Sequence, residues 1–242
     1  IPARVRHPYP VVLVHGGYGQ ATDWMSTPDG RRGWVSQLLE QGYKVYVVDR
    51  PGQGRNPHHP WAHGLYDAQA PTFENVAATI GPTTQTAAAR TQWPGTGGPN
   101  DPALAQVVAS MGQPMAINAV TRGLWQSRGA LLLDEIGASI LMTHGDGAIF
   151  AWVTAQERPA LVKGIVAVEQ SAQSLRGLTG QELARLVPIP IAIVTAEASP
   201  STETDPAQAA ALRDAGCSAE HIRLADRGIR GNGPMVMLEK NN

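Results

Sequence analysis

The chain predicts an α/β fold, a mostly parallel sheet wrapped by helices, and three observations carry that prediction. Short apolar runs alternate with helix-period segments from one end to the other. The first five runs are continuously apolar or rich in β-branched residues, as strands covered on both faces must be. Stop and start signals fall between the segments: Gly42 and Gly216 suit helix ends, and Asp205-Pro206 suits a helix start with proline in the first turn.

The elements follow in order. Residues 11–14 (VVLV) form the first strand, and 43–49 (YKVYVVD) the second after a helix over 31–41. A helix over 121–135 leads into a strand at 136–144, and a helix over 147–158 into a strand at 164–169. Helices over 180–186 and 206–215 precede strands at 189–196 and 221–224. The helical assignments rest on apolar residues recurring at three- and four-residue spacing, which gives one face to the sheet. Residues 56–102 break this rhythm: they hold His58, His59, Pro60, Trp61 and His63, then Trp93-Pro94-Gly95, without clear periodicity. A connection this long inside a compact domain is usually functional, so it is expected to be an irregular cap over the sheet. The expected organisation is one domain over 1–242, with 56–102 as a lid.

Composition narrows the function classes. With 43% hydrophobic residues the chain has ample material for a core, and a formal charge of −1 gives no basic footprint for nucleic acid. No apolar run approaches the ~20 residues of a membrane-spanning helix. Cys217 is the lone cysteine, so neither an internal disulfide framework nor a cysteine-based zinc site is expected. No targeting pattern stands at Ile1, and the sequence assigns no compartment. The expected partner is a small molecule, not nucleic acid or membrane, with a homodimer left open and no cofactor required.

The chemistry concentrates at two turns. His15-Gly16-Gly17 follows the first strand, where glycines let backbone approach a ligand and aim an N–H at a developing oxyanion; a plain strand-to-loop turn explains the tripeptide equally well. A second Gly-rich turn, residues 49–55 (DRPGQGR), is too short for a dinucleotide fingerprint. The informative segment is 140–150, ILMTHGDGAIF: buried strand, sharp turn of small residues, helix. That is the layout of a nucleophile elbow, with small residues two before and two after the nucleophile. Thr143 and Gly147 fill those places, which puts the nucleophile position at Gly145, a residue with nothing to attack with. Moving the register by one would make Asp146 the nucleophile, at the expense of placing bulky His144 where a small residue is needed.

These pieces resemble an α/β-hydrolase, and within that fold the chain is similar to the esterase-713-like family of serine hydrolases. The resemblance lies in 11–17 (VVLVHGG), Trp24 with 27–31 (TPDGR), Gly33-Trp34, 42–49 (GYKVYVVD), 91–95 (TQWPG), 141–144 (LMTH), 165–169 (IVAVE), 194–199 (VTAEAS) and 231–242 (GNGPMVMLEKNN), in order over nearly the whole chain. It implies a Ser-His-Glu triad with Glu169 as the acid and Glu197 as fallback, and a protein trimmed at both ends. The serine position is then Gly145, and the histidine position of the Gly-Asn-Gly-His-Met run is Pro234, so two of three members are absent.

Other histidines offer partial substitutes. His15 and His144 stand at strand C-terminal ends, where sites of open α/β sheets gather. His221 is expected at the opposite edge, and His7 in a Pro-flanked segment. His59 and His63 have i,i+4 spacing, but Pro57 and Pro60 argue against a metal-binding helix. Ser139 is expected mid-strand and packed. The expected site therefore comprises Glu169, His144 and Asp146 as acid–base groups, and the N–H groups of Gly17 and Asp146 as oxyanion hole. His15, Trp24 and Trp61 are expected to line the pocket. Three readings remain open at this point: an enzyme using the pocket without serine chemistry (a lyase, isomerase or water-attack reaction), a binding relic, or an esterase inactivated by engineering at 145 and 234.

Overall fold

The computed structural model describes residues 1–56, 58–63, 71–83 and 86–242. Its centre is a six-stranded, all-parallel sheet in the order β2-β1-β3-β4-β5-β6, built from β1 (Val11–Val14), β2 (Val45–Val48), β3 (Ser139–His144), β4 (Val162–Val168), β5 (Ile191–Thr195) and β6 (Ala219–Arg223). The order reverses at β1, which lies between β2 and β3. Open α/β sheets bind ligands at such a switch point, beyond the C-terminal strand ends. Every strand overlaps its sequence expectation. His221, however, sits mid-strand in β6 rather than at its start, with Nε2 3.0 Å from Thr195 Oγ1.

Strand alternation divides the core. Val11 and Leu13 face one layer with Trp24, Trp93 and Leu104, while Val12 and Val14 face the other with Trp125, Leu133 and Phe150. Helices α1 (Trp34–Glu40), α5 (Ala119–Ile136), α6 (Gly147–Glu157), α7 (Gly180–Ala184) and α8 (Thr204–Asp214) lie where periodicity placed them. Helix α6 departs in character from the amphipathic expectation: of its residues only Glu157 is exposed, because it runs from the sheet's interior under α5. Gly42 and Gly216 have φ of +89° and +88° just past α1 and α8, as helix stops require.

The 56–102 segment corrects its expectation of irregularity. It holds α2 (Pro60–His63) and α3 (Phe73–Ile80), and α4 (Pro102–Ser110) begins at its end. Thr72 caps α3, and Asp101 caps α4 with Pro102 at the first turn. Pro57, residues 64–70 and residues 84–85 of the expected cap lie outside the described residues. No helix among the described residues is long and apolar enough to cross a membrane.

Asp101 is the joint of this half of the molecule. Fully buried, it accepts from Trp93 Nε1 (2.8 Å), Gly97 N (2.6 Å), Ala103 N (2.9 Å) and Leu104 N (3.3 Å). Helix α4 then delivers Leu104 and Val107 to the core and Met111, just beyond it, to the cavity described below. Asp101→Ala removes a cap and orphans a buried indole N–H, so it is expected to lower stability by about 3 kcal/mol in urea unfolding. A loss under about 0.5 kcal/mol, the scale of an ordinary surface change, would refute this account.

Candidate functional site

The site is assembled by three neighbouring strand ends. Val14 of β1 pairs with Thr143 of β3, and His144 pairs with Val168 of β4. Gly145 and Glu169, the next residues along, are thereby brought side by side, and Gly145 N donates to Val168 O (3.1 Å). Both turn sharply. Gly145 has φ +51°, and Glu169, also at φ +51°, is the one non-glycine residue in that region among those described. A Cβ on Gly145 would meet nothing nearer than Gly16 Cα at 3.5 Å, an ordinary contact.

A cavity of about 350 Å³ opens beyond these ends, lined among others by Gly17, Asp23, His144, Glu169, Ser201 and Pro234. Helix α3 adds Thr79 and Ile80 to its wall. Glu169 is 5% exposed; Oε1 accepts from Ala196 N, and Oε2 lies 3.5 Å from Ser201 Oγ. Burial raises its pKa to about 8 against the Ser199 and Ala196 hydrogen bonds, with the negative charges of Asp205 and Glu239 adding to the rise. Asp23 is a second such group: burial lifts it to about 7, with Gln20 N on Oδ2 and Asp49 nearby. The cavity therefore holds two carboxyls biased toward the neutral form.

His144 is committed. Its Nε2–H donates to Pro234 O (2.8 Å), burial lowers its pKa, and Nδ1 is buried with no partner among the described residues. A Cβ on Gly16 would stand 2.6 Å from that Nδ1, so the loop after β1 seals the bare lone pair. Pro234 thus stands beside the elbow, offering a carbonyl where the resemblance implies an imidazole. It is held there because Glu239, buried, accepts from Gly233 N (2.7 Å) and Asn232 Nδ2 (2.6 Å).

Several expected site residues lie elsewhere. His15 is wholly buried and does not line the cavity: Nε2 accepts from Arg50 N (3.2 Å), Nδ1–H donates to Gly16 O (2.8 Å), and burial with Arg50 drives its pKa to about 3. It anchors the loop instead of touching ligand. Trp24 is completely buried in the core, 5.5 Å from Trp34, and Trp61 is 88% exposed on α2, so neither forms the wall. Glu197 pairs with Arg230 (2.8 Å) and Gly231 N (2.8 Å) outside the cavity. Asp146 caps α6 without a side-chain cap bond, its carboxylate against Gly17. No metal-binding cluster occurs among the described residues, and His63 Nδ1 instead accepts from His59 N (3.0 Å). Sequence reasoning missed Asp23, Ser199, Ser201 and Arg50. Of these only Arg50 had a visible signal, a lone cation at the C-terminal end of a strand.

The comparisons with known proteins agree with this fold. A family model described as the alpha/beta hydrolase fold matches residues 9–88. The chain is 30% identical to a fungal protein named "Probable secreted lipase phiG" (Fungal sp.), over 100% of this chain and 80% of that protein. Among solved structures, one described as a novel bacterial esterase superposes with a TM-score of 0.73 at 24% identity, covering 100% of this chain and 79% of its own. A thioesterase domain from the curacin biosynthetic pathway follows at TM-score 0.53 and 15% identity, covering 97% and 89%. At these identities the structural likenesses establish the fold alone.

Glu169 yields a pH test. Its folded pKa lies above the unfolded value near 4.5, so its burial is compatible with full stability below that value and costs increasingly as pH rises to about 8. Glu169→Gln is expected to match wild type near pH 4.5 and to be more stable by on the order of a few kcal/mol at pH 9. Asp23 titrates in both proteins and cancels. Thermal melts showing a pH-independent difference would contradict the buried, neutral carboxyl.

Proposed function

The chain belongs to the α/β-hydrolase superfamily, as an esterase- and lipase-like member, and we propose that it keeps a carbonyl-binding pocket while lacking the serine chemistry of that lineage. The observation that carries this reading is Gly145 itself. It occupies the strand-to-helix turn at φ +51°, between Gly16 and Glu169, with room for a side chain and none present. In the esterase-713-like scheme Gly145 stands at the nucleophile position, Pro234 at the base position and Glu169 at the acid position.

The oxyanion hole is the part that a missing side chain cannot remove. The backbone N–H groups of Gly17 and Asp146 carry no hydrogen bond to any described residue; Gly17 lines the cavity, and Asp146, two residues past β3, lies behind it with its carboxylate against Gly17. A ligand carbonyl oxygen held by both would develop negative charge against preorganised donors, an arrangement worth about 10²–10³ in rate even alone. The ligand is a small, largely apolar carbonyl compound, matched to a cavity with few convergent polar groups. Protonated Glu169 donates a hydrogen bond to it, and Asp23, at about 7, does so in its neutral fraction. Among the described residues of 56–102, α3 acts as the inner wall of a cap, through Thr79 and Ile80. Since His144 is sealed at Nδ1 and bound at Nε2, no strong base faces the carbonyl carbon, and ordinary ester turnover is negligible.

Restoring the triad tests the reading. Gly145→Ser tolerates its Cβ sterically, at about 1–2 kcal/mol of left-handed backbone strain. Triad members act as one unit, so neither Gly145→Ser nor Pro234→His alone is expected to recover much. The double variant should label with a serine-directed phosphonate and hydrolyse short activated aryl esters. Comparable turnover by the unmodified chain would mean another nucleophile, Asp146 first, and a folded but inert double variant would remove Glu169 from the acid role.

A further inference from the structure

The loop that carries Gly17 is clamped from behind by an unusual set of donors. Gly16 O accepts from His15 Nδ1 (2.8 Å), from Arg50 Nη2 (2.5 Å) and, at greater length, from Gly19 N (3.3 Å), and Gly17 O accepts from Gln53 Nε2. None of the three side-chain donors, His15, Arg50 and Gln53, lines the cavity, whereas Gly19 does. In a trans peptide the C=O and the following N–H point oppositely. Holding the Gly16 carbonyl toward Arg50 therefore turns the Gly17 N–H toward the cavity that both glycines line.

A neutral donor would suffice to hold a carbonyl, as Gln53 does one residue on. Arg50 is a costlier choice: it is 0% exposed, and its Nε and Nη1 have no partner among the described residues. Its guanidinium carbon lies 4.5 Å from the Trp125 ring centre, a cation–π contact that recovers part of that cost. The charge has a local counterpart. A Cβ on Gly17 would stand 2.6 Å from Asp146 Oδ2, so a carboxylate sits directly against the loop, and Arg50 attracts it. Without Arg50 that loop would present net negative charge to any anion forming beside the Gly17 N–H.

We infer that Arg50 is the positioning residue of the oxyanion donor. It orients the Gly16–Gly17 peptide through the Gly16 carbonyl, and its buried charge offsets the Asp146 carboxylate so that the cavity accepts a tetrahedral anion. A charged donor on the carbonyl also polarises the peptide and strengthens its N–H as a donor. Burial lowers the Arg50 pKa only to about 10, opposed by Asp146, so the group stays charged at neutral pH. His15, the other donor, is neutral, which leaves Arg50 to supply the charge. This inference rests on the reading of Gly17 as an oxyanion donor.

The test uses the intact chain and two probes of one shape: the methyl butylphosphonate anion, which mimics a tetrahedral oxyanion, and its uncharged dimethyl ester. Affinity is read by calorimetry and by the amide NMR shift of Gly17. Wild type is expected to prefer the anion and to move the Gly17 amide. Arg50→Met should lose at least tenfold more affinity for the anion than for the neutral ester, whose phosphoryl oxygen loses only the orientation of the Gly17 N–H. Arg50→Lys should keep the preference at pH 6 and lose it as pH rises, because a buried amine gives up its proton well before a guanidinium. The ionisable groups facing that amine are Asp146, His15 and His144; His15, at about 3, is neutral over the range, and burial biases His144 toward its neutral form. Equal losses for both probes in Arg50→Met would make Arg50 merely structural and overturn the inference. So would a preference unchanged in Arg50→Met, or one independent of pH in Arg50→Lys, which decides the matter even if Arg50→Met fails to fold. Absence of any anion preference in wild type would instead overturn the oxyanion reading of Gly17, and the Arg50 inference with it.

Discussion

Gly147 opens α6 directly against the exit of β1. A Cβ there would stand 2.5 Å from His15 O and 2.8 Å from Val14 O, closer than any side chain tolerates. That contact lets the turn after β3 lie on the turn after β1, at the point where strand order reverses. The geometry of the site descends from it. With the turns touching, the Asp146 carboxylate stands against Gly17, and His144 closes over Gly16. Glu169, one strand further, completes the wall through β3–β4 register. A larger residue at 147 would lift the elbow from β1, and the Gly17 loop would lose its floor.

The electrostatics of the corner are arranged around low polarity. Glu169 and Asp23 are pushed toward neutrality by burial, and His15 and His144 are kept neutral by the same cause. Arg50 and Asp146 are the opposite charges facing one another beneath and beside the loop. On the proposed reading, such a corner would bind a neutral carbonyl without a large desolvation cost and hold a charge in reserve for the anion it becomes. Arg90 ties this corner to the segment above it, donating to Thr79 O (2.7 Å), Gly81 O (2.9 Å) and Ala198 O (3.2 Å). The wall from α3 and the loop after β5 are thus held by one side chain.

Much of this was legible in the sequence, for identifiable reasons. Strands buried on both faces are continuous apolar runs, and Val11 to Val14 or Ile191 to Thr195 could be little else. The elbow was legible because a turn this tight admits only small residues at fixed offsets. Helix α3 was not, because Gly and Pro surround it and its cap, Thr72, carries no distinctive spacing. The tryptophans misled: a ring in a loop at the C-terminal edge can point into the core, as Trp24 does, or into solvent, as Trp61 does. Sequence position does not say which. His15 misled for a related reason, since a strand-end histidine can turn its two nitrogens inward to backbone groups. Asp23 was invisible because its importance comes from the loop folding over it, not from any neighbour in sequence.

Gly145, Pro234 and His144 form one arrangement rather than three separate departures. In an acyl-transferring elbow the residue at 234 would be a base and the residue at 145 its proton donor. Here the 234 position contributes a backbone carbonyl, which accepts from His144 Nε2–H. This bond fixes the imidazole tautomer, so the remaining lone pair must be on Nδ1. That lone pair is turned toward Gly16 and closed from the cavity. An imidazole in this state neither takes a proton from a ligand nor gives one. Its work is mechanical: it spans from the β3 end to the Pro234 segment and holds both to the β1 loop. The side chain nearest to serving as a substitute base is therefore engaged in keeping the pocket's walls together.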